Sequence, residues 1–255
     1  MSKRSNWSIP YVVFLVLFVV LPLVLVLLYA FQDGNGHITF SNIGKFFTDR
    51  DALSTFAVSV EVALENTAIC ILLGYPAAWI LSNKKYNRSA VTIILFIMPM
   101  WINALMRTLA TAQLFTMLGI QLGKGTLLFG MVYDYLPFMI YPIYNVLNKM
   151  DKSYAEAAVD LGATPWKAFW KVTVPLSMPG VMSGVLMVFM PTVSTFAISE
   201  FLTNNKIKLF GTIIQENINS SAWNYGAALA FIMLIIIGLT SLLSKDKEQA
   251  EGALI

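Results

Sequence analysis

Six stretches of this chain are apolar over a length that suits a membrane interior: residues 10–31, 56–81, 90–115, 126–147, 177–202 and 223–243. A bilayer core of about 30 Å is crossed by roughly 20 helical residues, and only helices and closed barrels pair all their backbone groups there. The pattern predicts an all-α, polytopic membrane protein with about six transmembrane helices, forming a single transmembrane domain over residues 1–255. Composition agrees: 57% of residues are hydrophobic and 12% charged, against roughly a quarter charged in soluble domains. No internal repeat, low-complexity tract or interdomain linker interrupts the series, and residues from Lys245 on read as a short charged tail.

Lys3 and Arg4 precede the first stretch in the manner of a secretion signal. Its apolar run is longer than a signal's and no small-x-small cleavage site closes it, so a retained helix is expected. The single cysteine, Cys70, lies in an apolar run and reads as a buried structural thiol. The net charge of +3 carries no nucleic-acid signal, because the basic residues lie in loops between apolar runs rather than in a patch.

Those loops set an orientation. With both termini in the cytoplasm, Lys3, Arg4, Lys84, Lys85, Arg88, Lys149, Lys152, Lys167, Lys171, Lys245 and Lys247 fall inside. Lys45, Arg50, Lys124, Lys206 and Lys208 fall outside, and Arg107 stays within a span. Eleven against five satisfies the positive-inside bias.

Residues 149–175, between the fourth and fifth stretches, form a cytoplasmic insert in this orientation. Tyr154 to Leu161 is rich in helix formers, and Gly162 is a helix stop. Ala155, Ala157, Ala158 and Gly162 are small enough for another backbone to approach closely. Pro165 permits a new short helix with Trp166, Phe169 and Trp170 at helical spacing, and Pro175 and Pro179 are expected to end it and open the fifth span. The insert reads either as a docking surface for a soluble partner or as an interfacial helix with its aromatics at the headgroups.

Glu156, Ala157, Ala158, Gly162, Val172, Val174 and Pro175 have a recognisable spacing: Glu-Ala-Ala, three residues, Gly, nine residues, an Ile-like position, one residue, then a Leu-Pro-like pair. This resembles the signature of membrane subunits of bacterial ATP-driven (ABC) importers, of the type I permease kind, with valine where Ile and Leu are usual. Six spans and an insert between the fourth and fifth are similar to that family over nearly the whole chain. The resemblance implies a coupling helix that fits a cleft on a cytoplasmic ATPase, whose ATP-driven closure rocks the membrane helices. It implies a bacterial inner-membrane location, a second homologous permease, an ATPase dimer and an extracytoplasmic substrate-binding protein. Glu156 would be a polar or positioning contact, Ala157, Ala158 and Gly162 close-approach positions, and Pro175 part of the same coupling segment; none is catalytic. ATP and Mg would belong to the partner, and no Gly-x-x-x-x-Gly-Lys-Ser/Thr loop is present to cradle phosphates here.

Residues 73–79, 98–103, 136–139 and 175–180 further resemble spermidine/putrescine permeases, in particular the first of their two paired membrane subunits. Branches that carry opines, iron or thiamine share much of this pattern.

The intramembrane charges bear on cargo. A charged side chain near the bilayer centre costs at least about 2.5–3.5 kcal/mol and therefore faces an interior or an aqueous path. The spans hold Glu61, Glu65, Asp134 and Glu200 against the single Arg107. This acidic surplus suits a polyamine, whose ammonium groups carboxylates balance and aromatic faces accept. Glu200, Ser199, Asp134, Tyr133, Trp101 and Glu65 are the candidate path residues, with Glu200 and Ser199 in a segment resembling one of the polyamine permeases. Glu61 and Glu65 share a helix face about 6 Å apart in rise, and either face the path, face a partner subunit or pair with Arg107.

Other chemistries find little support. His37 and Cys70 are far apart in the chain, which supports neither a zinc cluster nor a Cys–His nucleophile. A proton-coupled secondary transporter using the intramembrane glutamates is the main alternative class. An intramembrane enzyme lacks a nucleophile–base pair in the spans.

Overall fold

Small residues decide where the helix backbones meet in this fold. A computed structural model describes the backbone of residues 9–83 and 91–252 and the side chains of residues 10–83 and 91–241; the chain is all-α. In order, the helices are α1 (Pro10–Ala30), α2 (Ser41–Thr48), α3 (Arg50–Ser82), α4 (Val91–Ile97), α5 (Ala104–Met117), α6 (Lys124–Lys149), α7 (Ser153–Asp160), α8 (Pro165–Ser194), α9 (Ala197–Thr203), α10 (Phe210–Asn219) and α11 (Trp223–Gly252).

α3, α6 and α8 pack around Cys70 and Ala78 from α3, Met139, Ile140 and Ile143 from α6 and Val188 from α8. In lipid, apolar surface gains little by leaving the tails, so close van der Waals contact and interhelical hydrogen bonds hold helices together. Both are present. A Cβ at Gly184 would lie 2.7 Å from the Met139 sulfur, and one at Gly180 would lie 3.0 Å from the Pro142 carbonyl oxygen. The Asn66 amide donates to Thr192 Oγ1 at 2.8 Å, joining α3 to α8 inside the core. Thr126 Oγ1 donates to the Leu202 carbonyl at 2.8 Å, joining α6 to α9.

α1 contrasts with these helices. It is apolar all round and only Ala30 on it is buried, the pattern of a helix turned toward lipid. Its end meets α11 through an edge-on contact of Phe31 and Phe231, ring centres 5.6 Å apart.

Five of the predicted stretches give continuous helices able to cross a bilayer, and the remaining one gives a bent pair. The bent pair corrects the expectation over 90–115, whose first residue lies outside the described residues. α4 runs into a 3₁₀ turn at Met98–Trp101, and α5 leaves it at 89°. Asn103 causes the restart: its side chain accepts hydrogen bonds from the Leu105 and Met106 amides at 2.9 and 3.3 Å, an N-cap in mid-stretch. Pro99, which cannot donate, sits in the turn before it.

The fifth span is displaced as well. Rather than running over 177–202, α8 begins at Pro165 and ends at Ser194. Pro175 and Pro179 neither end one helix nor start another. A π turn at Phe169–Thr173 closes with the Val174 amide on the Phe169 carbonyl and absorbs the missing N–H of Pro175. Beyond Ser194, extended backbone at Thr195 separates α9, so Ser199 and Glu200 lie on a short helix of their own. Gly211 seals this break: a Cβ there would collide with the Ser194 carbonyl oxygen and lie 2.8 Å from that of Thr195. Backbone expected as a charged tail from Lys245 continues as helix to Gly252. Lys3, Arg4, Lys84, Lys85, Arg88 and the side chains of Lys245 and Lys247 lie outside the described residues.

Candidate functional site

Two places in the fold gather the residues singled out by sequence. The first is the insert between α6 and α8. Asp151 Oδ1 accepts the Ser153 amide at 3.0 Å and so starts α7; that hydrogen bond holds the Asp151 carboxyl below the usual carboxylate range. Glu156 stands in the first turn, where its charge complements the helix dipole. At the other end Gly162 adopts φ +88°. Its amide bonds the Val159 carbonyl at 2.9 Å and the Ala163 amide bonds that of Ala158 at 3.0 Å. This pair of bonds is a Schellman stop, which needs a left-handed residue after the helix. Thr164 then caps α8, its Oγ1 accepting from the Lys167 amide at 3.3 Å, with Pro165 in the first position. Two closely spaced helix ends thus set α7 off as a short helix of its own, packed against the start of the long α8.

None of the α7 residues is buried; Tyr154 is 55% and the following Leu161 90% exposed. Glu156 and Ala157 are exposed and Ala158 half-buried. Glu156 also borders a recess of about 520 Å³ with Trp79, Ser82, Met150, Val159 and Phe169. The aromatic stripe divides its labour. Phe169 packs edge-on against Tyr75 and Trp79 of α3, at 6.0 and 5.6 Å, while Trp166 and Trp170 stay exposed.

The second place is the bend between α4 and α5. Arg107 and Asp134 are both buried there, with Arg107 Nη2 3.0 Å from Asp134 Oδ1. Thr108 Oγ1 donates to Asp134 Oδ2 at 3.2 Å. Trp101, 82% exposed, lines a recess of about 430 Å³ together with Asn103, Arg107, Asp134, Tyr135 and Phe138. Tyr133 lies beside it, its ring centre 5.5 Å from the Arg107 guanidinium carbon.

The remaining candidates lie elsewhere. Glu65 and Glu61 both grip Lys124 Nζ, at 2.8 and 2.7 Å, at the end of the bundle opposite the insert. Neither pairs with Arg107, which belongs to Asp134. Ser199 is fully buried, donating to the Phe196 carbonyl at 2.9 Å and lying 3.1 Å from Thr212 Oγ1, so it braces α9 against α10. Glu200 is half-buried and makes no ion pair among the described residues. Sequence reasoning missed Lys124 and Thr108. One intramembrane Arg and one Asp in neighbouring spans was the available sign of the Arg107–Asp134 pair.

The face carrying Lys124 is rich in charge. Lys45, Asp49, Asp51, Glu61, Lys208 and Glu216 border a recess of about 850 Å³. Lys208 pairs with Glu216 at 2.7 Å, and Tyr225 donates to Asp49 Oδ2 at 2.9 Å.

Comparison with known proteins adds to this geometry. Residues 5–245 match the family described as binding-protein-dependent transport system inner membrane component. The spermidine/putrescine transport system permease protein PotB of Escherichia coli K12 is 33% identical over 199 residues, covering 71% of this chain and 72% of the relative. PotB of Haemophilus influenzae is 31% identical over 249 residues, covering 88% and 87%. Among solved structures, a bacterial ABC transporter that imports the acidic polysaccharide alginate has a chain matching with a TM-score of 0.72 at 17% identity, over 96% of this chain and 98% of that one. A chain of the inward-facing methionine transporter MetNI matches with a TM-score of 0.60 at 14% identity, over 78% and 95%.

Proposed function

The chain belongs to the family of binding-protein-dependent transport system inner membrane components, and from that premise we propose that it forms part of the translocation path for polyamines and couples that path to a cytoplasmic ATPase. It is a multi-pass inner-membrane permease subunit. In the proposed arrangement both termini and α7 face the cytoplasm. A second homologous permease completes the path, two ATPase copies bind ATP and Mg, and a substrate-binding protein delivers cargo to the charged face around Lys124. The chain itself performs no catalysis.

The observation that carries the coupling role is the lever. α7 leaves Tyr154, Glu156 and Val159 available to a partner, is stopped at both ends, and packs against the first turns of α8, which runs on into the membrane core. A force on α7 would pass to the start of α8 and along that helix to Val188 and Thr192. Phe169, packed on Tyr75 and Trp79, provides the point about which α8 turns against α3. ATP binding would draw two such levers together and open the cavity outward; hydrolysis would reset it.

Polyamine as cargo is supported by the relatives' names and by charge. Glu61 and Glu65 share Lys124, Asp134 pairs with Arg107 and Glu200 has no ion-pair partner among the described residues, which leaves these four carboxylates with net negative charge. The fold alone does not choose the cargo, since the solved neighbour with TM-score 0.72 belongs to an importer of an acidic polysaccharide.

The test is uptake of labelled spermidine and putrescine into liposomes holding this subunit with its partner permease and ATPase, the binding protein outside and ATP within. ATP-dependent accumulation of either polyamine is expected. Accumulation that ignores ATP and collapses with the proton gradient would instead establish a secondary transporter, and ATP-dependent uptake of another solute alone would overturn the polyamine reading.

A further inference from the structure

The bend between α4 and α5 puts non-helical backbone and a buried ion pair at one point within the predicted third span. Irregular backbone at membrane depth persists only where protein buries it or where it borders a water-filled cavity. Here residues 100–103 border the recess that also holds Arg107 and Asp134. Asp134 lies ten residues into α6, about 15 Å along the axis from that helix's start.

The pair is poorly made for a purely structural bridge. Arginine and carboxylate favour two parallel hydrogen bonds. Instead a single guanidinium nitrogen approaches Asp134 Oδ1, at 3.0 Å and off the hydrogen-bonding line, so that Oδ1 accepts no hydrogen bond among the described residues. Arg107 Nε and Nη1 are buried and have no hydrogen-bond partner among the described residues. Thr108 holds only the other carboxylate oxygen, Oδ2.

We propose that Asp134 is a cation-binding position of the translocation path and that Arg107 is its tethered counter-ion, covering the carboxylate between transport cycles and yielding Oδ1 to an ammonium group of the cargo. The inference rests on the polyamine reading above. Thr108 Oγ1, which also reaches the Ala104 carbonyl at 2.9 Å, stays beside Oδ2 while Oδ1 changes partner. Arg107 retains a resting place on the Tyr133 ring, over which it already lies. Aromatic faces attract cations most strongly where water is excluded, and Trp101, Tyr135 and Phe138 give the recess faces that suit the methylene stem and the ammonium groups. Its volume of about 430 Å³ lies in the range of small-molecule sites. Covering a lone carboxylate with an internal cation also disfavours leakage of small inorganic ions, which lack the stem to gain from the rings.

The experiment measures spermidine and putrescine uptake kinetics in the reconstituted importer for wild type, Asp134→Asn, Arg107→Gln and the double variant, with the amount of subunit in the membrane assayed for each. Asp134→Asn is expected to raise KM about tenfold or more. Arg107→Gln, which uncovers the carboxylate, is expected to lower KM severalfold and to reduce the maximal rate, because release becomes slower. The double variant should keep the high KM of Asp134→Asn. If each single variant fails to accumulate in the membrane and the double variant restores both accumulation and the wild-type KM, the pair is structural only and the inference is overturned. An unchanged KM in Asp134→Asn overturns it as well, while leaving the polyamine reading intact. Failure of the wild type to take up either polyamine removes that reading and this inference together.

Discussion

The Tyr75 and Ser177 hydroxyls meet at 2.8 Å, joining α3 to α8 near the point where the lever enters the membrane. Ser177 also donates to the Val174 carbonyl at 2.9 Å, so Tyr75 is the donor in a short relay. Next to this bond, Phe169 packs on Tyr75 and Trp79. Together with the Asn66–Thr192 hydrogen bond deeper in the core, they tie α8 to α3. Replacing Tyr75 by Phe removes the hydrogen bond and keeps the ring contact. The expected cost is about 1 kcal/mol, read as a small drop in the unfolding temperature of the purified complex, with uptake less tightly tied to hydrolysis.

Gly162 tests whether the lever's angle matters. Its φ of +88° is strained for any side chain, yet a Cβ there would meet nothing within 4 Å. The penalty is thus conformational, about 1–2 kcal/mol for most residues, and smaller for asparagine, which tolerates the left-handed region. Uptake is expected to fall in the order Gly, Asn, Ala, Val at position 162, with equal amounts of subunit in the membrane. An order following side-chain volume with Asn no better than Val would point to a steric cause.

Gly211 is the most demanding glycine of the described residues. Backbone carbonyls of Ser194 and Thr195 occupy the space of a Cβ, and backbone moves less readily than a side chain. Gly211→Ala is expected to destabilise the fold by about 1–3 kcal/mol through overpacking. The measurement is the yield of folded subunit after detergent extraction, with Gly34→Ala, where nothing is within 4 Å, as the unaffected control.

Lys124 separates stability from steering. Its side chain is 45% exposed, and exposed ion pairs contribute about 0–1 kcal/mol. Lys124→Gln should hardly change the unfolding temperature. It leaves Glu61 and Glu65 unbalanced, which raises the encounter rate of a cation. KM for spermidine is expected to fall roughly two- to fivefold at low ionic strength, with the difference fading as salt shortens the screening length below about 10 Å.

Asp49 gives a pH dependence of known sign. The Tyr225 hydroxyl first, then the Ala52 and Asp51 amides, hold its carboxyl below the usual range. A depressed carboxylate stabilises the fold at all pH values above its unfolded pKa of about 3.9 and loses that contribution as pH falls through the lower folded value. No change is expected near neutrality. Below about pH 4 the wild type should lose stability more steeply than Asp49→Asn, which keeps an N-cap acceptor without the charge. Thermal unfolding of the purified complex from pH 7 to pH 3 measures it.

Hydropathy located the spans because lipid imposes length and apolarity on each one separately. Gly162 was legible as a stop for the same local reason: helix ends are decided within a few residues. The bend at Asn103 and the break after Ser194 were not. The break after Ser194 depends on a distant residue, the absent side chain at Gly211, whereas the Asn103 cap is local and was masked by the unbroken apolar run around it. Pro175 misled because a proline ends a helix only if the preceding turn cannot widen, and Phe169–Thr173 widens. The acidic residues could be listed from sequence, but their partners could not, since Lys124 reaches back across 59 and 63 positions to its glutamates.

Replacing residues 153–160 by a Gly-Ser segment of equal length removes α7 and leaves the spans untouched. In reconstituted vesicles the subunit should still insert, while the ATPase no longer co-purifies and ATP-driven polyamine uptake disappears. Wild-type uptake by that variant would contradict the coupling role of the lever.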